Sequence, residues 1–185
     1  MYRFLLGALF CLISIAPMAH TGDDTSEYQA EALQDQLQAY LFHAARAGDT
    51  EILQVFIDSH YDINTADAKG YTPLILAAYN GHPEAVSQLL EGGANACQRD
   101  NRGNSALMGA IFKGNLGIAR QLLRADCEVD ARNNAGQTPA MYAALFQRTE
   151  LLQELCEHGA DMNAADYAGN TPSRLAAGEL STTAR

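Results

Sequence analysis

The feature that most constrains this chain is a period. Residues 67–99, DAKGYTPLILAAYNGHPEAVSQLLEGGANACQR, return as DNRGNSALMGAIFKGNLGIARQLLRADCEVDAR (100–132) and again as NNAGQTPAMYAALFQRTELLQELCEHGADMNAA (133–165). Gly70, Gly103, Gly136 and Gly169 stand 33 residues apart, and a small hydroxyl residue follows two places on, at Thr72, Ser105, Thr138 and Thr171. Each unit reads as a turn followed by two helix-like segments. A fixed period of this length is the signature of a stacked solenoid.

The recurring residues have local reasons to be where they are. Gly70 and its equivalents suit a turn that needs φ > 0, which glycine adopts without steric cost. Thr72 can cap the helix that follows, and Pro73 fits the first helical position, where no backbone donor is needed. Ala77 and Ala78 permit close approach of neighbouring helices, Leu89 and Leu90 fill the space between layers, and Gly93 falls where the second helix should end. The third unit departs from this pattern. Ala106 replaces Pro, Asp126-Cys127 replaces Gly-Ala, and Gly117 lies inside the second helix. Glycine in a helix interior costs about 0.5–1 kcal/mol relative to alanine, so this is expected to be the loosest layer.

These motifs resemble the ankyrin repeats. The likeness rests on Gly70-Tyr-Thr72-Pro73-Leu74, Leu76-Ala77-Ala78, Gly81-His82, Leu89-Leu90 and Gly93-Ala94-Asn95. It returns in Thr138-Pro139, Ala143-Ala144 and Gly159-Ala160-Asp161-Met162-Asn163, and covers roughly residues 40–177. The resemblance implies an all-α ankyrin-repeat solenoid of about five repeats, each a β-turn finger, a short helix, a longer helix and a loop. It also implies binding of other proteins, with the partner meeting the finger tips and the exposed ends of the first helices. Carried onto this chain, those positions are Lys69, Tyr71, Tyr79 and Asn80, then Arg102, Asn104, Phe112 and Lys113. In the fourth repeat they are Asn134, Gln137, Leu145 and Phe146, followed by Tyr167 and Asn170 in the last finger. Aromatic and basic side chains, the types enriched in protein interfaces, recur among them. On an otherwise acidic molecule such a strip fits an acidic or amphipathic protein. The chain also looks like the small exported ankyrin proteins of bacteria, some of which accompany periplasmic catalases in defence against peroxide. That likeness implies a role in support of an antioxidant enzyme such as catalase.

The two ends differ from the repeats. Residues 1–19, MYRFLLGALFCLISIAPMA, place one Arg before an apolar run that ends at small residues, the layout of a cleaved signal peptide too short to span a membrane. We therefore expect export to the periplasm, with secretion as the alternative. Residues 20–30 are polar and acidic and are expected to form a flexible lead-in. Residues 31–66 form an atypical first unit, in which Leu33, Leu37, Tyr40, Leu41 and Ala44 would share one helical face and a second helix would run over 50–58. Residues 166–180 form a truncated closing unit and 181–185 a frayed tail. Without the leader the chain carries eleven basic against twenty-two acidic residues. That balance argues against nucleic acid and against anionic membrane surfaces as partners. A monomer is expected.

Chemistry is sparsely encoded. No phosphate loop, GxSxG elbow or HExxH is present. His43, His60, His82 and His158 are scattered over different repeats, with His82 and His158 at positions suited to tying loops together. Asp67, Asp100 and Asp166 recur at the finger base, where an Asx-turn explains them better than paired-carboxylate catalysis. Neither an enzyme, a cofactor nor a metal site is expected. Of the three cysteines beyond the leader, Cys156 stands where a packing Leu would be and reads as a core residue. Cys97 and Cys127 fall in loops of adjacent layers, which the stack spacing would hold too far apart to bridge. Either could serve a thiol-based redox or stress sensor, the first alternative function. A secreted effector binding host proteins is the second.

Overall fold

The computed structural model describes residues 23–180. The expected leader (1–19) and tail (181–185) lie outside the described residues. Nine helices run through the described residues: α1 (Asp23–Ala47), α2 (Thr50–Asp58), α3 (Pro73–Asn80), α4 (Pro83–Glu91), α5 (Ala106–Lys113), α6 (Leu116–Leu123), α7 (Pro139–Leu145), α8 (Thr149–Glu157) and α9 (Pro172–Ala176). From α3 onward the first helices pack in a row, α3 on α5, α5 on α7 and α7 on α9. The second helices form a parallel row, α2 on α4, α4 on α6 and α6 on α8.

Each helix start follows from its sequence. Thr72 Oγ1 accepts from Ile75 N at 3.2 Å, Ser105 Oγ from Met108 N at 3.3 Å, Thr138 Oγ1 from Met141 N at 3.4 Å and Thr171 Oγ1 from Arg174 N at 3.3 Å. Pro73, Pro139 and Pro172 take the first helical position, and Ala106 takes it in α5 without loss of the cap. The helices end in the alanine-rich face that the repeat predicts: Ala77, Ala78, Ala110, Ala143 and Ala144 are buried, along with Leu89, Leu122 and Leu155. Small residues on one helix let the leucines of the next fill the layer, and each leucine so buried contributes about 1.5–3 kcal/mol.

The fingers are built around one carboxylate or carboxamide each. Asp67 Oδ1 accepts from Lys69 N and Tyr71 N, both at 2.9 Å, and Asp100 Oδ1 accepts from Arg102 N and Asn104 N at 2.9 and 2.8 Å. Asn133 and Asp166 repeat this arrangement. The glycine at the tip has φ between +78° and +80° in all four fingers. Successive fingers are then joined backbone to backbone. Asn101 N donates to Lys69 O at 3.0 Å, Asn134 N to Arg102 O at 2.9 Å and Tyr167 N to Ala135 O at 3.2 Å.

Several expectations are corrected. Residues 23–30, read as a flexible lead-in, are helical and continuous with α1. The stretch contains no Gly or Pro, its Glu, Gln and Ala favour helix, and acidic residues at its start suit the helix dipole. The expected apolar face of α1 is buried only in part: Leu41 and Ala44 are inside, whereas Leu33, Leu37 and Tyr40 are exposed. On α2, Leu53 and Phe56 are buried, Ile57 is half-buried and Ile52 is exposed. Cys156 is exposed rather than in the core.

Cys97 and Cys127 form a disulfide, with their Cα atoms 5.5 Å apart. The separation that would keep them apart, about 8–10 Å, applies to helix axes. The loops themselves touch: Asn95 N donates to Asn64 Oδ1 at 2.7 Å and Asp161 N to Asp130 Oδ2 at 2.9 Å. In the third repeat Asp126 stands where Gly93 and Gly159 adopt φ near +90°, and Asp126 does not adopt that conformation. Instead Cys127 N turns back onto Ala125 O at 2.8 Å, and this altered turn carries Cys127 to Cys97.

The third repeat nonetheless keeps both helices, Gly117 included. A Cβ added at Gly117 would meet nothing within 4 Å. Gly117→Ala is therefore expected to raise stability by about 0.5–1 kcal/mol, read as a higher urea midpoint with an unchanged slope. A fall in the midpoint would show that the glycine is required there.

Candidate protein-binding groove

The fingers and first helices of the second and third repeats enclose a groove of about 710 Å³. Its walls include Lys69, Tyr71, Tyr79, Asn80, Arg102, Asn104 and Phe112, so seven of the positions singled out from the sequence come together in one place. Lys69 and Arg102 are exposed on adjacent fingers, and neither side chain makes an ion pair or hydrogen bond among the described residues. Tyr79 and Phe112, 41% and 46% exposed, stack nearly parallel with ring centres 6.2 Å apart. Phe146 continues the series edge-on to Phe112 at 5.2 Å, and Lys113 Nζ lies 5.0 Å from the centre of the Tyr79 ring. A cation above an aromatic face at this distance is attracted by the ring quadrupole.

Several sequence candidates, Asn80 and Asn104 of the groove among them, are held by other duties. Asn104 Oδ1 accepts from Asn133 Nδ2 and from the Tyr142 hydroxyl, each at 3.0 Å, and Asn104 Nδ2 donates to Asp100 Oδ2 at 3.3 Å. Gln137 Oε1 accepts from the same Asn133 Nδ2 at 3.1 Å. These two side chains stitch the fingers to α7. Burial pushes the Tyr142 hydroxyl above its ordinary pKa, against the opposing pull of the Asn133 hydrogen bond. Asn80 Nδ2 caps its own helix at Leu76 O (2.8 Å), and Asn134 Nδ2 donates to Asn101 O at 2.9 Å. Leu145 is 45% exposed but does not line the groove. Tyr167, 80% exposed, lies against Gly136 in the preceding finger, outside the groove. Asn170 Nδ2 bonds the Asp166 carboxylate.

Sequence reasoning missed Arg46, Met108, Gly109 and Tyr142 as groove residues. Arg46 Nη2 reaches Asp67 Oδ2 at 3.2 Å and so joins the end of α1 to the first finger. Gly109 is visible only when the repeats are aligned by column: it occupies the position of Leu76 and Tyr142. Among the histidines, His82 Nε2 reaches Arg46 O at 2.8 Å and ties two repeats, whereas His158 Nδ1 contacts Glu154 O within α8. No cluster of three or more potential metal ligands occurs among the described residues, and no described helix is long and apolar enough to cross a membrane.

Paired helices, left-handed glycine turns and backbone-linked fingers define a solenoid of helix-pair repeats. The chain belongs to the ankyrin-repeat family: the family model described as ankyrin repeats (three copies) matches residues 41–133 and 121–183. Similar proteins include a 60 kDa lysophospholipase of Mus musculus, 41% identical over 66 residues, which are 35% of this chain and 12% of that protein. An ankyrin repeat domain-containing protein 29 of Danio rerio is 41% identical over 56 residues, 30% of this chain and 19% of that protein. A probable E3 ubiquitin-protein ligase of Oryza sativa subsp. japonica is 40% identical over 52 residues, 28% and 12% of the two chains. This chain thus spans less than a fifth of each relative, a stretch of at most two repeats. What is shared is the repeat, a module that generally binds other proteins and is typically non-enzymatic.

Proposed function

We propose that this chain is a non-enzymatic binding module that acts after export and holds a protein partner in the groove between its fingers and first helices. The observation that carries this reading is the run of Tyr79, Phe112 and Phe146, exposed or half-exposed aromatic rings in contact across three repeats, the first two stacked and the third edge-on. Aromatic anchors of this kind supply most of the binding energy in protein interfaces. Export is supported by the apolar leader and by the Cys97–Cys127 disulfide, a bond that persists in oxidising compartments and is rare in the cytosol. The more specific reading, support of a periplasmic antioxidant enzyme such as catalase, rests on likeness to small exported ankyrin proteins.

The test is a crosslinked pull-down from the exported fraction, using the native chain and a Tyr79→Ala, Phe112→Ala, Phe146→Ala variant shown by circular dichroism to be folded. A single protein captured by the first bait and reduced at least tenfold with the second is the expected result. Peroxide-decomposing activity in the captured fraction would identify a catalase. Equal capture by both baits would place the interface elsewhere. A second reading, a thiol-based sensor, loses Cys97 and Cys127 to their disulfide and draws support from the exposed free thiol of Cys156. Thiol titration before and after peroxide treatment decides it, since an unchanged thiol count removes the sensor.

A further inference from the structure

The groove is not uniform along its length. At the column that holds Leu76 in the second repeat and Tyr142 in the fourth, the third repeat has Gly109. A Cβ built there would meet only Tyr79 Cδ2, at 3.7 Å. The missing side chain leaves a hollow beside Tyr79, in a groove that Leu76, Met108, Phe112 and Tyr142 also line. Lys69 and Arg102, whose side chains make no ion pair or hydrogen bond among the described residues, stand on the fingers beside it. Asp67 and Asp100, the carboxylates nearest to them in sequence, are committed through Oδ1 to the turn amides of their own fingers.

We infer that the groove receives an acidic peptide segment of the partner, with one apolar side chain seated in the hollow over Gly109 and carboxylates paired with Lys69 and Arg102. This rests on the protein-binding reading above and specifies its ligand. Charge complementarity selects the occupant. The chain carries a net charge of −10, and the second helices on the other row hold Glu51, Glu84, Glu91 and Glu157 beside Glu150 and Glu154, which share Arg120, whereas the groove presents Lys69 and Arg102 without an ion pair. A basic segment would be drawn to the acidic row instead. Equivalent positions in adjacent repeats stand about 10 Å apart. Acidic residues three apart in a polyproline-type extended segment, which rises about 3.1 Å per residue, match that spacing on one face. The apolar residue lies between them.

The test uses fluorescence anisotropy with three labelled probes: a peptide of repeating Glu-Pro-Leu, the same peptide with Lys for Glu, and the same with Gly for Leu. The native protein is expected to bind the first at least tenfold more tightly than either control, with affinity falling as salt rises. Gly109→Leu places in the hollow the residue that the second repeat already carries at this column, so the fold should persist. It is expected to weaken the first probe at least tenfold. Lys69→Glu with Arg102→Glu, both on the surface, should do the same. No binding of the acidic probe, equal binding of the Lys probe, or unchanged binding by either variant would overturn the inference. The same variants used as pull-down baits separate this proposal from the broader one. If the aromatic triple variant loses the natural partner while the charge-reversed and Gly109→Leu variants keep it, the groove binds protein but the ligand is not an acidic segment. If all variants keep it, the groove itself is excluded. A self-association lost in the charge-reversed variant, seen by light scattering, would make a second acidic copy of this chain the occupant and overturn the inference as well.

Discussion

Breaking the Cys97–Cys127 bond is expected to lower stability by about 3 kcal/mol. The two cysteines are 30 residues apart, and closing a loop of that length in the unfolded chain removes conformational entropy worth roughly 3–4 kcal/mol. The bond joins the second repeat to the third, the repeat that lacks the proline at its first helix and carries Gly117 in its second. The loss should therefore fall most heavily on the third layer. The measurement is thermal unfolding of the native protein with and without reductant, beside a Cys97→Ser, Cys127→Ser variant. At about 2–4 °C per kcal/mol for a chain of this size, both should melt roughly 6–12 °C below the oxidised protein. A difference of under 1 °C would mean that the cross-link joins loops already fixed in the unfolded ensemble.

Gly103→Ala is expected to cost about 3 kcal/mol or more, and Gly93→Ala only about 1–2 kcal/mol. Both glycines have positive φ, +80° and +92°. A left-handed backbone penalises any Cβ by about 1–2 kcal/mol, and that share is common to the two substitutions. The surroundings differ. A Cβ at Gly93 would meet nothing within 4 Å, whereas one at Gly103 would stand 2.8 Å from Asn134 N and 2.9 Å from Asn133 Cα. Those atoms are backbone of the next finger and cannot rotate away. The added methyl group must push the fingers of the third and fourth repeats apart, and with them the bonds from Asn134 N to Arg102 O and from Asn134 Nδ2 to Asn101 O. Urea unfolding of the two variants beside the native chain gives the comparison. Equal losses would show that the finger contact carries no energy of its own.

Much of the fold could be read from the repeat because each of its signals is local. The Thr72 cap, the proline at the first helical position, the Asp67 turn and the paired alanines act within a few residues, and a period of 33 residues copies them in register. What escaped depends on relations between layers. Cys97 and Cys127 meet because one loop turns differently from its neighbours, and no residue pattern within either repeat announces it. Asn104 and Gln137 were candidates for binding because they sit at finger positions; Asn133 and Tyr142 of the following repeat absorb Asn104, and Asn133 also holds Gln137 in its own finger. Cys156 aligns with Leu90 and Leu123 and would be buried by analogy, yet this edge of α8 is open to water. In α1 the apolar spacing predicted a covered face, but no layer among the described residues covers Leu37 and Tyr40, which stay exposed. The site was partly legible. Lys69, Tyr71, Tyr79, Arg102 and Phe112 do converge, while the hollow at Gly109 is an absence and leaves no mark unless the columns are compared.

The backbone links between fingers have a consequence for motion. Asn101, Asn134 and Tyr167 lie at exposed turns, the kind of place where amide protons usually exchange with solvent fastest. Here each of those amides is given to a carbonyl of the preceding finger. Its proton is released when two layers part and is otherwise retained, however much water surrounds the turn. The tips of the fingers, exposed at Asn101, Asn134 and Tyr167, thus keep time with the separation of one repeat from the next.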